Sequence, residues 1–301
     1  MEKEIAVQIR PLLLSLALLA ASALACAENT PKEEITWLAA DIAPSMIQQG
    51  PLAGTGFLDL AMADLRALLP NYKHTVLWGN GKRQEQEMQA GRNACTVALL
   101  RNPRREAFIL YSRPYFRILP IGIITLKSAV GKFDAYRADN GLVSLAKARN
   151  SPLQLGIAYG RVYGGSIDKL LEAQLSAQKN LLIRSGTDIS DGLYNMLQNG
   201  RIDYQLGYPV EEAYLFQSHP KQKPTAFLPI EEAGTLHNMY FACARTAWGE
   251  QLVAEMNRHF ESKKLQQKFQ KNYEKWLSPD SLKIYRAWLK QAPPIEELNG
   301  H

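Results

Sequence analysis

The sequence predicts an α/β protein built as two lobes joined by crossing strands, and three observations carry that prediction. From Ile35 onward, short β-branched or aromatic runs alternate with helical patterns, the signature of βαβ units and a largely parallel sheet. The pattern then restarts near Leu153, with no long flexible linker before it. The chain has 301 residues, 46% apolar and 21% charged, enough for two packed cores without metal or disulfide staples.

In chain order, Ile35 to Ala40 reads as a strand. Gly56 to Leu69 sets Phe57, Leu60, Ala61, Leu65 and Leu68 at helical spacing, and Pro70 stops the helix. His74 to Trp78 is a second strand, followed by a polar helix, Lys82 to Ala90, that Gly91 ends. Ala94 to Leu100 and Pro120 to Leu126 are the next strands. In the second half, strands at Leu153 to Tyr159, Leu181 to Ser185, Ile202 to Leu206 and Thr225 to Pro229 accompany helices Ser166 to Gln178 and Asp188 to Gln198. Thr187 or Asp188 caps the second of these helices and Gly200 ends it. Met239 to Arg245 is the last strand, before helices at Glu250 to Lys271, Asn272 to Trp276 and Ser281 to Lys290. Ligands of such sheets sit in the crevice at the carboxyl ends of the strands, here between the lobes.

Residues 1–27 read as a secretory signal outside the fold. Pro11 to Ala25 is free of charge, too short to span a bilayer, and ends in small residues. Ala25-Cys26-Ala27 suits cleavage before Glu28, whereas Ala23-Leu24-Ala25-Cys26 resembles a lipoprotein box that would leave a lipidated Cys26. The first reading is preferred, because the box lacks the usual Leu three residues before the Cys. The expected location is periplasmic. Lys3 and Arg10 balance Glu2 and Glu4, so the net charge of +6 survives cleavage. Its basic residues are interspersed with acidic ones, which argues against nucleic acid as a partner.

Catalytic and cofactor motifs are missing. The Gly-Lys pair Gly81-Lys82 is followed by Arg83 and has Val76 where a phosphate loop needs Gly. There is no GxSxG, HExxH or CxxC, and the five histidines lack ligand spacing, so neither a cofactor nor a metal is implied. The run Gly160-Arg161-Val162-Tyr163-Gly164-Gly165-Ser166 is a glycine-rich turn before a helix, whose free N–H groups suit an anion or serve as plain turn chemistry.

Two segments go further. Asn102-Pro103-Arg104-Arg105 followed by Ser112-Arg113-Pro114-Tyr115 is similar to the "TPER…FSxPY" stretch of extracellular solute-binding proteins family 3, the receptors of polar amino acid ABC importers. Leu197-Gln198-Asn199-Gly200-Arg201-Ile202-Asp203 resembles that family's "LxxGRxDa" segment. Gly54 to Leu60, Tyr240 to Arg245 and Lys275-Trp276 resemble further family segments in the same order. The resemblance implies a two-lobed type II periplasmic-binding fold with an inter-lobe cleft. Lobe 1 would span 28–126 and 240–301, and lobe 2 would span 127–239. It also implies that Arg105 grips a ligand carboxylate as the strongest single contact, since a guanidinium fork pairs a carboxylate bidentately. Gly160, Arg161, Tyr208, Ile42 and Leu100 are the other expected ligand contacts. Tyr208 stands where the family has its ammonium-binding Asp, with Glu211 or Glu212 as substitutes. Ala98 and Leu100 replace hydroxyl residues, and Ile42 and Ser45 replace aromatic ones. The carboxylate grip is kept while the ammonium grip and stacking face are lost. The same fold would set the strands of Cys95 and Cys243 side by side, leaving two readings open: a disulfide, or two buried thiols.

The function these features imply is a monomeric, non-enzymatic solute-binding protein that carries a small carboxylate-bearing molecule to an ABC permease or membrane sensor. Two alternatives are a ligand-free lobe pair that regulates a partner, and a dehydratase-like enzyme using groups such as Glu211 and His219. Export predicts a mature chain starting near Glu28. Intact mass of the periplasmic protein tests this: a chain starting at Met1 overturns it, and a diacylated Cys26 moves it to the lipoprotein route.

Overall fold

The computed structural model describes residues 33–101, 103–177, 180–185, 189–219 and 221–295. The signal segment with Cys26, Asn102 and the caps expected at Thr187 and Asp188 lie outside the described residues.

The chain forms β1 (Glu34–Ala39), β2 (Lys73–Trp78), β3 (Ala94–Leu99) and β4 (Ile109–Ile118), then β5 (Gly122–Leu126), β6 (Leu155–Ala158), β7 (Leu181–Arg184), β8 (Tyr204–Gly207) and β9 (Thr225–Pro229), and last β10 (His237–Ala244). One sheet runs β2-β1-β3-β10-β4 and the other β7-β6-β8-β5-β9. The helices are α1 (Phe57–Leu68), α2 (Gly81–Gln89), α3 (Leu145–Ala148), α4 (Gly165–Ala177), α5 (Ile189–Gln198), α6 (Pro209–Ser218), α7 (Ala247–His259), α8 (Lys263–Glu274) and α9 (Pro279–Gln291). The architecture is α/β with two lobes.

Both sheets are mixed, where a largely parallel sheet was expected. β10 runs antiparallel to β3 and β4, and β5 runs antiparallel to β8 and β9. β5, expected in lobe 1, therefore belongs to the second sheet, and the crossings fall at 119–121 and 230–236. β4 carries no clear strand pattern in the sequence, because its run is interrupted by Arg113 and Pro114. Pro114 is tolerated because β4 is an edge strand and its register against β10 shifts there. α6 is an element the sequence pattern does not predict: it starts on Pro209, and Glu211 reaches back to accept the Tyr208 N–H at 3.1 Å. The long helix expected over Glu250 to Lys271 breaks, because Ser262 caps α8 by accepting the Leu265 N–H.

Apolar burial holds each lobe. In the first, Trp37 and Leu65 are completely buried together with Tyr115, Phe241 and Phe260. Tyr115 stacks on Phe260 at 4.4 Å, and its hydroxyl donates to the Val97 carbonyl. The second lobe packs Ile123, Leu155, Phe133 and Tyr204 around its own sheet. The first crossing is anchored to the C-terminal helices, since the Leu119 N–H donates to the Tyr273 hydroxyl at 3.0 Å and the Tyr285 hydroxyl to the Arg117 carbonyl at 2.7 Å. Cys243 lies opposite Cys95 in the antiparallel register, and the two are joined by a disulfide.

The disulfide closes a loop of 148 residues, which in the chain-entropy model contributes about 5 kcal/mol. Denaturant unfolding with and without reductant should differ by a loss of that order, and two free thiols in the unreduced, denatured protein would refute the bridge. Glu212 is buried and accepts a 2.6 Å bond from the Thr225 hydroxyl. Burial pushes its carboxyl above the ordinary carboxylate range, and the Thr225 bond offsets only part of that. A folded pKa above the unfolded one gives a contribution that is complete below the unfolded pKa and lost as pH rises through the folded one. Glu212→Gln keeps the acceptor for Thr225, so it should gain melting temperature over wild type at about pH 8 and gain little at about pH 4. A pH-independent difference would contradict this.

Candidate functional site

A cavity of about 820 Å³ opens between the two sheets. It is reached by the segments that follow β1, β3, β6 and β8, at the carboxyl ends of parallel strands. From the first lobe, Ile42, Met46, Phe57, Leu58, Leu99 and Leu100 line it, and from the second, Arg161, Val162, Asp191, Tyr208, Glu211 and Tyr214.

Local contacts tie the first-lobe wall together. Asp59, in the first turn of α1, accepts the N–H groups of Ile47 at 2.9 Å and Gly56 at 3.0 Å, tying the 41–47 loop to the helix. Burial raises the Asp59 carboxyl above its ordinary value against the pull of these two donors. A Cβ on Gly56 would fall 2.5 Å from the Ser45 carbonyl, so this close approach needs glycine. Ile42, at the rim, keeps 54% of its surface exposed.

The second-lobe wall is built around one ion pair. Gly160, at φ +71°, turns the chain after β6 and delivers Arg161 to the cleft. Arg161 Nη2 donates to Glu211 Oε1 at 2.8 Å and Oε2 at 3.1 Å. Its guanidinium lies over the rings of Tyr163 at 5.4 Å and Tyr208 at 5.9 Å. Burial opposes the charge, but Glu211 outweighs it and holds the Arg161 pKa above its ordinary value. The Tyr208 hydroxyl is pushed up by burial, an effect the neighbouring guanidinium partly offsets.

The expected residues therefore divide. Ile42, Leu100, Arg161 and Tyr208 line the cavity together, with Gly160 as the turn behind Arg161. Arg105 is not among the lining residues. It starts a 3₁₀ turn at Arg105–Ala107, and its Nε donates to Glu85 of α2 at 2.8 Å. Glu85 also takes Arg104, at 3.2 Å. The glycine turn is partly filled from within, because the Asp168 carboxylate accepts the N–H groups of Tyr163 at 2.9 Å and Gly164 at 3.1 Å. Glu211, expected as a substitute ammonium partner or as a group of a dehydratase-like enzyme, is instead paired with Arg161, a pairing the sequence pattern does not anticipate. The available signal was the α6 start, where Pro209 at N1 places Glu211 at N3 beside the end of β8. Glu212, the other substitute, turns away to Thr225. His219 is held by α6 itself, its Nδ1 lying 2.9 Å from the Leu215 carbonyl. Among the described residues, no group of three or more His, Cys, Asp or Glu is placed to hold a metal ion.

The cleft can thus enclose a small molecule whose apolar part meets Met46, Phe57 and Leu58 and whose charged part meets Arg161 and Glu211. No family model matches the sequence, and no curated protein matches it. Solved structures do match. The GluR0 ligand-binding core in complex with L-glutamate aligns over 83% of this chain and 100% of its own, with 13% identity and a TM-score of 0.58. A histidine kinase sensor domain with similarity to periplasmic binding proteins aligns over 82% and 98%, with 12% identity and a TM-score of 0.57. Substrate-binding domain 2 of Lactococcus lactis GlnP, in an open conformation, aligns over 83% and 97%, with 16% identity and a TM-score of 0.55. At these identities the likeness establishes architecture: the chain has the two-lobed, periplasmic-binding-type α/β fold of these domains.

Proposed function

We propose that the chain is an exported, non-enzymatic solute-binding protein, whose lobes close over a small carboxylate-bearing molecule and deliver it to an ABC permease or a membrane sensor. The single observation that carries this reading is the 820 Å³ cleft lined from both lobes, with one guanidinium positioned in its wall. Arg161, rather than Arg105, is the carboxylate anchor in this reading, because Arg105 is engaged by Glu85 outside the cavity lining. A ligand carboxylate would share the Arg161 fork with Glu211, and an ammonium on the same ligand would meet Glu211 and Asp191. The apolar first-lobe wall favours a hydrocarbon or aromatic body over a polar one. The neighbouring structures support binding and sensing, since they are substrate-binding and sensor domains.

A thermal-shift screen over carboxylates, amino acids and short peptides should find a ligand that raises the melting temperature without being turned over. Calorimetry then compares variants. Arg161→Ala should lose about 2–5 kcal/mol of binding, roughly thirtyfold to several thousandfold in Kd. Arg161→Lys should recover only part, since an ammonium lacks the planar fork. Arg105→Ala should bind like wild type. Loss in Arg105→Ala with none in Arg161→Ala would sink the anchor assignment, and turnover of the ligand would sink the binding-protein reading itself.

A further inference from the structure

Away from the cleft, a second concavity of about 330 Å³ opens on the first lobe beside edge strand β4, and it shares no lining residue with the cleft. Three guanidinium groups reach it, from Arg101, Arg113 and Arg245, against one lining carboxylate, Glu106. Arg101 Nε donates to Glu106 Oε1 at 2.7 Å. Arg113 Nη1 donates to Glu261 at 3.3 Å, but that carboxylate is 65% exposed, and an ion pair so open to water is weak. Arg245 is held differently. Its Nε donates to the Glu106 carbonyl at 2.8 Å and its Nη2 to the Ile109 carbonyl at 3.2 Å, neutral acceptors that fix the fork without cancelling its charge.

The backbone is shaped to open this concavity. The β10–β4 register shifts on both sides of Tyr240, and the Arg113 N–H donates to Asn257 Oδ1 of α7 at 2.7 Å. Irregularities of this kind re-aim side chains from a strand. Tyr111 and Tyr240, packed edge to face at 5.9 Å, complete one wall.

We propose that this concavity is a second binding site, taking free phosphate or a small phosphate monoester, with the oxyanion held by Arg101, Arg113 and Arg245. The excess of guanidinium over carboxylate suits an anion, and the guanidinium N–H donors beyond those given to Glu106, Glu261 and the two carbonyls suit charge-assisted bonds to phosphate oxygens.

The test is the melting temperature of the mature protein, titrated with inorganic phosphate at ionic strength fixed with chloride. A saturable rise is expected, with its half-saturating concentration raised about tenfold or more in Arg101→Gln/Arg113→Gln. Should that variant fail to fold, Arg245→Lys serves: it keeps the charge, loses the fork, and should weaken phosphate several-fold. Arg161→Ala, in the cleft, should leave the phosphate response intact. A response that chloride reproduces, that survives loss of the concavity's arginines, or that disappears with Arg161→Ala overturns the proposal.

Discussion

The return of the chain as β10 is the constraint on which the rest of the structure depends. The first sheet lacks its fourth neighbour until residues 237–244 come back between β3 and β4. A protein that completes its first sheet last must leave it and re-enter it, so two connecting segments cross between the lobes, and a crevice lies beside them. Tyr273 and Tyr285 then fix the outgoing crossing through the Leu119 N–H and the Arg117 carbonyl, partners that any backbone offers. The outgoing crossing is thus fixed by two buried hydroxyls from the C-terminal helices, and the cleft inherits its position from them.

Within that cleft, electrostatics is local. Arg161 sits against two aromatic rings with its own carboxylate alongside, an arrangement that keeps the guanidinium charged and aimed before any ligand arrives. Preorganisation has a cost here, because an incoming anion competes with Glu211. Asp41 and Asp191 add further negative charge to the lining, so a simple anion is poorly matched, and a ligand that brings its own positive group is matched better.

Much of this was legible in the sequence, and the failures share causes. The first helix came within a residue of α1 because its apolar spacing and Pro70 agree. Strand β4 was hidden, since a proline in a run argues against a strand unless a bulge absorbs it, and bulges depend on the partner strand. Helix α6 is apolar on several sides, with Val210, Ala213 and Leu215 all buried, so no single stripe announced it. The site divided in the same way. Motif order places Tyr208, Ile42 and Leu100 near strand ends, where they line the cavity, but the pairing of Arg161 with Glu211 joins residues 50 apart whose meeting depends on how β6 and β8 pair. The position of Arg105 relative to the cavity is not legible from its motif, because a motif fixes a position along the chain, and the Glu85 carboxylate on α2 takes its side chain.

The late arrival of β10 also bears on the order of folding. A chain made amino end first has β3 and β4 in hand well before their shared neighbour, so each has a backbone edge open to strangers while the second lobe is still being completed. Closing that gap joins residues far apart in sequence, which slows it. Pro114, with no N–H to offer, and the charged Arg113 beside it interrupt the edge strand β4. The same irregularity that shapes the native surface thus guards the half-built sheet against pairing with another copy.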